Sequence, residues 1–146
     1  VTMNPGTIAT INRAWKAGDT ITLDMLREVT MLEGHHRIEE VRNQIAIKRG
    51  PIVYAIETPD LPKDTSILDV YFKEGTPLRT VHKNDFLGGI TVIETEVLVR
   101  EDKKEELYQT ISKPVFKTHK TQLVPYFAWS NRGQAEMTVF MPVIWG

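Results

Sequence analysis

Hydrophobic and polar residues alternate with a period of two along much of this chain. Ile21, Leu23 and Met25 alternate with Thr20, Thr22 and Asp24. One face is then oily and the other wet, the pattern of a half-buried strand. Leu68, Val70 and Phe72 alternate with Asp69 and Tyr71 in the same way. Near the end, Met137, Val139, Met141, Val143 and Trp145 share a face opposite Glu136, Thr138 and Phe140. Residues 90–99 are rich in β-branched side chains, which suit a pleated surface. Residues 52–56 are apolar on both faces, as in a strand covered from both sides.

The punctuation between these runs agrees. Lys16-Ala17-Gly18-Asp19 reads as a hairpin turn with glycine at a positive φ. Gly50-Pro51 separates two apolar runs, and a proline there starts an edge segment or marks a bulge. Residues 58–64 hold two prolines and form a loop, the place where a seam between two halves would fall. Gly88-Gly89 is a further turn, and Asn131-Arg132-Gly133 leads into the last strand. Ile38, Val41 and Ile45 have helical spacing, so one short helical turn is predicted near 36–42. Residues 100–111 read as a long loop or brief helix, because Leu107 and Ile111 are too thin a stripe to anchor more. Short strands separated by turns, without helical crossovers, predict an all-β fold. The expected form is an antiparallel β-sandwich, jelly-roll-like, with that one short helix.

Composition narrows the picture. The chain has 146 residues, 41% of them hydrophobic and 25% charged, and one domain spanning 1–146 is expected. Net charge is −1 and the basic residues are scattered, which argues against a nucleic-acid partner. No apolar run reaches the roughly 20 residues that span a bilayer, so no membrane partner is expected. Cysteine is absent, which removes disulfides, thiolate metal sites and thiol nucleophiles from this chain. It begins at Val1 without a charged start followed by an apolar stretch, and it reads as a fragment of a larger chain. The compartment stays open between cytoplasm, periplasm and secretion.

Three groupings offer chemistry. His35 and His36 with Glu39 and Glu40 place His36 and Glu40 four apart, a spacing that puts two metal ligands on one helical face. The plainer reading is an exposed polar turn, and no metal or cofactor is assigned to this chain; His82 and His119 read as surface residues. Glu94 and Glu96 share a strand face, and glycosidases need two carboxylates about 5–9.5 Å apart. Acidic residues between β-branched ones more often form a solvated sheet face, so no catalytic residue is assigned. No nucleophile-elbow serine or glycine-rich phosphate loop is present. Tyr126, Phe127 and Trp129 crowd ahead of Asn131 and Arg132, and Trp15 precedes a turn. Flat rings beside an amide and a guanidinium can bind sugars; core packing or a contact with another domain is the alternative. Tyr126, Trp129, Asn131, Arg132 and Arg49 are therefore the candidate sugar or interdomain contacts. The guanidinium groups of Arg49 and Arg132 suit a neighbouring carboxylate or carbonyl.

Three phrases, in order, resemble one family. Residues 11–23, I-N-R-A-W-K-A-G-D-T-I-T-L, resemble the R-x-W-K-x-G-D-x-I-x-L stretch of glycoside hydrolase family 127, the β-L-arabinofuranosidase family. Residues 41–57, V-R-N-Q-I-A-I-K-R-G-P-I-V-Y-A-I-E, are similar to its E-N-x-G-x-V-A-L-x-R-G-P-L-V-Y-C-x-E. Residues 124–142, V-P-Y-F-A-W-S-N-R-G-Q-A-E-M-T-V-F-M-P, resemble its I-P-Y-Y-A-W-A-N-R-G-x-G-E-M-x-V-W-I-P ending. Ala55 stands where the family often has cysteine, and Gln134-Ala135 also departs from the pattern.

The resemblance implies a large bacterial enzyme with an (α/α)6 barrel followed by β-sandwich domains. Such an enzyme releases L-arabinofuranose from plant-type glycans. It also implies a zinc-bound cysteine nucleophile and a glutamate in that barrel, none of which maps onto this chain. The expected role here is noncatalytic: a rigid C-terminal block bracing the barrel, its partner in the same polypeptide. A stand-alone carbohydrate-binding module built on the aromatics around Trp129 is the alternative, and a small enzyme using Glu94 or His36 is the third reading.

Overall fold

The computed structural model describes residues 4, 6–23, 25, 27–102 and 106–146. Asp24 of the predicted strand, residues 103–105 of the predicted loop and the starting residues Val1 to Met3 lie outside the described residues. Nine strands and four short 3-10 turns make up the regular structure described, with no α-helix among these residues and hence none able to cross a membrane.

The strands are β1 (Val29–Glu33), β2 (Gln44–Arg49), β3 (Ile52–Glu57), β4 (Val70–Lys73), β5 (Arg79–Lys83), β6 (Ile90–Arg100), β7 (Phe116–Pro125), β8 (Met137–Thr138) and β9 (Phe140–Ile144). Gly50 and Pro51 form a two-residue hairpin joining β2 to β3, with Arg49 paired to Ile52. Gly50 takes φ +55°, as the first central residue of such a turn requires, and proline fits the second. The predicted edge or bulge at Pro51 is thus a tight hairpin instead.

That hairpin splays at its open end. Ile47 to Arg49 pair with β3, but Gln44 to Ala46 turn to β9 and Ile56 and Glu57 turn to β8. Strand β9 then runs parallel to β4, through Phe72 with Val143 and Lys73 with Ile144. β4 pairs with β6, β6 with β7 and β7 with β3, all antiparallel. The ladder β2–β9–β4–β6–β7–β3 therefore returns to β2 and closes a six-stranded barrel. Strands β1, β5 and β8 attach to it at β2, β6 and β3.

All-β is what the period of two predicts; a jelly-roll-like sandwich of two stacked sheets is not what the pairings describe. The reason is physical: inward and outward residues alternate in a barrel as they do in a sandwich. Only the pairing partners distinguish the two. Here long, twisted β6 and β7 curl the sheet, and one short parallel contact shuts it.

The barrel interior holds Ile45, Ile47, Tyr54, Ile56, Leu61, Val70, Phe72, Ile93, Val97, Leu123, Met141 and Val143. On the outer face of β6 and β7, Ile90, Val92, Val124 and Ala128 form a second, smaller core under Val81, Phe86 and Leu87. Neighbouring residues Leu123 and Val124 thus point into different cores, which makes this end of β7 apolar on both faces. The short helical turn expected near 36–42 is a single 3-10 turn, Glu39–Val41, and Ile45 belongs to β2 instead. Leu68 lies in another such turn and is 81% exposed, so that strand starts only at Val70.

Candidate functional site

The site grows from the end of β3. Glu57, which closes the apolar run 52–56, is fully buried. A buried carboxylate is costly unless paired. Arg132 supplies the partner from a loop 75 residues further on, its Nη2 donating to Glu57 Oε2 at 2.5 Å. The same guanidinium grips Asp60, with Nη1 donating to Oδ1 at 2.8 Å and Nη2 to Oδ2. Ser130 completes the hold by donating its backbone N–H to Glu57 Oε1 at 2.8 Å, from a left-handed backbone of φ 63°. A non-glycine residue kept there costs on the order of 1–3 kcal/mol and persists only when its surroundings demand it.

The network extends across the sheet. Asp60 Oδ1 accepts from Gln122 Nε2 at 2.9 Å, and its carbonyl accepts from Thr121 Oγ1 at 2.9 Å. Gln122 in turn accepts from Lys83 Nζ at 2.7 Å, and Lys83 lies 3.3 Å from Glu94. Asp60 first, then Glu57, hold the Arg132 guanidinium firmly charged, well above its ordinary range. Its Cζ lies 5.3 Å from the centroid of the Phe86 ring, which packs on the second core. One arginine thereby ties the end of β3, the following turn and the 126–133 loop into one block.

That loop presents aromatics outward. In the 3-10 turn Tyr126–Ala128, Ala128 drops into the second core while Tyr126 and Phe127 stay 48% and 68% exposed. Trp129 is 37% exposed, with its ring centroid 6.4 Å from that of Tyr126. Asn131 is exposed as well, and its Nδ2 donates to the Ala128 carbonyl at 3.1 Å. Of the residues singled out from sequence, Tyr126, Trp129, Asn131 and Arg132 are brought together. Arg49 stands apart at the turn end of the β2–β3 hairpin, about 17 Å along β3 from Glu57. There its charge acts on Tyr54, whose phenol is pushed up by burial and pulled back by Arg49 and Arg27. Tyr54 donates to the Thr91 carbonyl at 2.9 Å.

Glu57 and Asp60 escaped the sequence reading. Glu57 looks like the polar end of a strand, and nothing in local spacing joins it to Arg132. The one available signal is the oddity of a charged residue continuing a doubly apolar run.

The carboxylate pair Glu94 and Glu96 sits on the outer face of β6, beside an open groove of about 710 Å³. Arg79 and Gln122 flank Glu94 on the neighbouring strands, and Lys120 lies opposite Glu96 in the strand register. Lys83 lies 3.3 Å from Glu94, Lys120 stands opposite Glu96 only in register, and the groove is open, the arrangement of a solvated sheet face. His35 and His36 stack on each other, centroids 4.2 Å apart, in an exposed turn. Among the described residues no three His, Asp or Glu side chains stand close enough to hold a metal ion. With no cysteine in the chain, these residues do not fit a zinc–thiolate centre.

Residues 29–142 match the model of the glycoside hydrolase family 127 C-terminal domain, starting at the first residue of β1. The chain belongs to glycoside hydrolase family 127. A curated relative, the non-reducing end β-L-arabinofuranosidase of Bifidobacterium longum subsp. longum, is 33% identical over 133 residues, covering 85% of this chain and 20% of that protein. A solved family 127 β-L-arabinofuranosidase from Geobacillus stearothermophilus T6 superposes with a TM-score of 0.72 at 27% identity, covering 81% of this chain and 18% of that one. A second solved glycoside hydrolase gives 0.71 at 34% identity, over 80% of this chain and 19% of its own. This family 127 domain thus spans about a fifth of the length of each of these proteins, and both named sources are bacteria.

Proposed function

We propose that this domain is a noncatalytic structural unit of a β-L-arabinofuranosidase-like glycoside hydrolase. The groups that break the glycosidic bond then lie on polypeptide outside these residues, with any zinc held there too. One observation carries the reading: the domain's buried charges are spent on its own architecture. Glu57 and Asp60 are committed to Arg132, while Glu94, half-exposed on the open sheet face, lies 3.3 Å from Lys83. Among the described residues, no enclosed pair of free carboxylates remains for the chemistry a glycosidase needs. The match to a C-terminal domain, and to about a fifth of a β-L-arabinofuranosidase, supports the same view. The partner is then the (α/α)6 barrel that the family resemblance implies.

The exposure of Tyr126, Phe127 and Trp129 favours a second reading, a sugar-binding module. Calorimetric titration of the folded 146-residue chain with L-arabinofuranose oligosaccharides separates the two. A structural unit gives no saturable heat. Saturable binding that disappears in Trp129→Ala would replace the structural reading with the module.

A further inference from the structure

Glu57 and Asp60 are committed to the domain's own architecture, but one half-buried cation is not. Of the three half-buried arginines among the described residues, Arg100 and Arg132 each hold a carboxylate. Arg49 is the third. It forms no ion pair among those residues, and its Nε is buried without a hydrogen-bond partner there.

The fold explains how this guanidinium comes to be so placed. Arg49 closes β2 and pairs with Val29 on one side and Ile52 on the other. Ile47, two residues back, belongs to the barrel interior, and a period of two puts Arg49 on the same face. Val29 and Ile52 pack against that interior, and Tyr54 within it donates to the Thr91 carbonyl. The apolar interior therefore ends on a guanidinium. Arg27 lies against the same turn, since a Cβ built on Gly50 would stand 3.5 Å from Arg27 Cγ. The Gly50 N–H donates to the Glu28 carbonyl at 3.0 Å and holds that segment in place. Both charges reach one phenol: burial pushes Tyr54 up, and Arg49 and then Arg27 pull it back.

Two like charges at one turn repel, and a buried N–H without an acceptor has lost its hydration. An anion offsets both costs. The planar fork of arginine sets two N–H donors side by side, matching two oxygens of a phosphate or a carboxylate. Tyr54 does not compete, because its O–H is already given to Thr91. We infer that Arg49 and Arg27 form an oxyanion-binding site at the β2–β3 turn. Arg49 takes two oxygens through its fork, and the exposed Arg27 adds its charge from the solvent side. The same pair of oxygens can come from a free phosphate or carboxylate, or from a carboxylate side chain elsewhere in the same polypeptide.

Thermal melts of the 146-residue chain in inorganic phosphate, against chloride at equal ionic strength, test this. Tm should rise saturably with phosphate. Arg49→Gln should raise the phosphate Kd about tenfold or more, as loss of a charged donor does. Arg27→Gln, at an exposed position, should raise it about threefold. In chloride alone Arg49→Gln should melt no lower than the wild type, because it removes an unpaired charge. A Tm lowered equally in both buffers overturns the inference, since the arginine then only packs. The same titration of the full open reading frame separates the sources. A retained phosphate shift marks a free anion; a lost shift, with Tm lowered by Arg49→Gln, marks a carboxylate of the same polypeptide. No saturable shift in the 146-residue chain overturns the inference. A shift that Arg49→Gln leaves intact marks an adventitious ion only and overturns it too.

Discussion

Arg132→Ala strands a charge. In the wild type, Glu57 is fully buried and Arg132 is 16% exposed, so the pair is shielded from solvent on the carboxylate side. Removing one partner of such a pair costs about 3–5 kcal/mol, because the other is left buried and uncompensated. The lower end applies here, since Ser130 N–H still donates to Glu57 and Gln122 still donates to Asp60. About 3 kcal/mol, at about 4 °C per kcal/mol for a domain of this size, lowers Tm by roughly 12 °C. Differential scanning calorimetry of the 146-residue chain reads it directly. Adding Glu57→Gln to the variant should recover about 1–2 kcal/mol, because a neutral amide tolerates the same site better than an unpaired carboxylate. A drop below about 3 °C for Arg132→Ala, or further loss on adding Glu57→Gln, would refute the claim that this pair holds the loop.

Other predictions follow from the same geometry. Trp129→Ala should cost about 2 kcal/mol in urea melts, short of the roughly 3–5 of a fully enclosed tryptophan, because its ring is only partly covered; a loss above about 4 would make it a core residue. Asp102 receives Arg100 Nε and Nη2 at 2.9 and 2.7 Å and the Val115 N–H at 3.0 Å. Arg100 first among these holds its carboxyl well below the ordinary range. A depressed carboxyl pKa adds stability above the unfolded value of about 3.9 that fades as pH falls below it. The stability gap between wild type and Asp102→Asn should therefore shrink from pH 6 to pH 2 (roughly the span over which an ordinary carboxyl titrates), and a constant gap would contradict the assignment.

How much of this was legible beforehand depends on what each residue answers to. The apolar run 52–56 and the pair Val70 and Phe72 answer to burial alone, and both read correctly as strand. Leu68 shares their period but sits in a 3-10 turn, where the Ser66 side chain accepts from its N–H and competes with the ladder. The alternation over 20–25 is as strong as any in the chain, yet no ladder forms there among the described residues. Periodicity reports which face needs cover, not whether the cover is present. Closure of the barrel depends on β9 meeting β4 across some 70 residues of sequence, which no local pattern encodes. The aromatic loop was visible as a cluster of ring types, but its anchor was not. Arg132 reads as a surface guanidinium until Glu57 and Asp60 are seen to converge on it.

The central claim is that these strands carry no chemistry of their own. Hydrolysis of a chromogenic β-L-arabinofuranoside, followed with the folded 146-residue chain beside the full open reading frame, tests it most directly. The account predicts turnover by the full-length protein and none by the chain alone. Turnover by the chain alone, lost in Glu94→Gln, would contradict it.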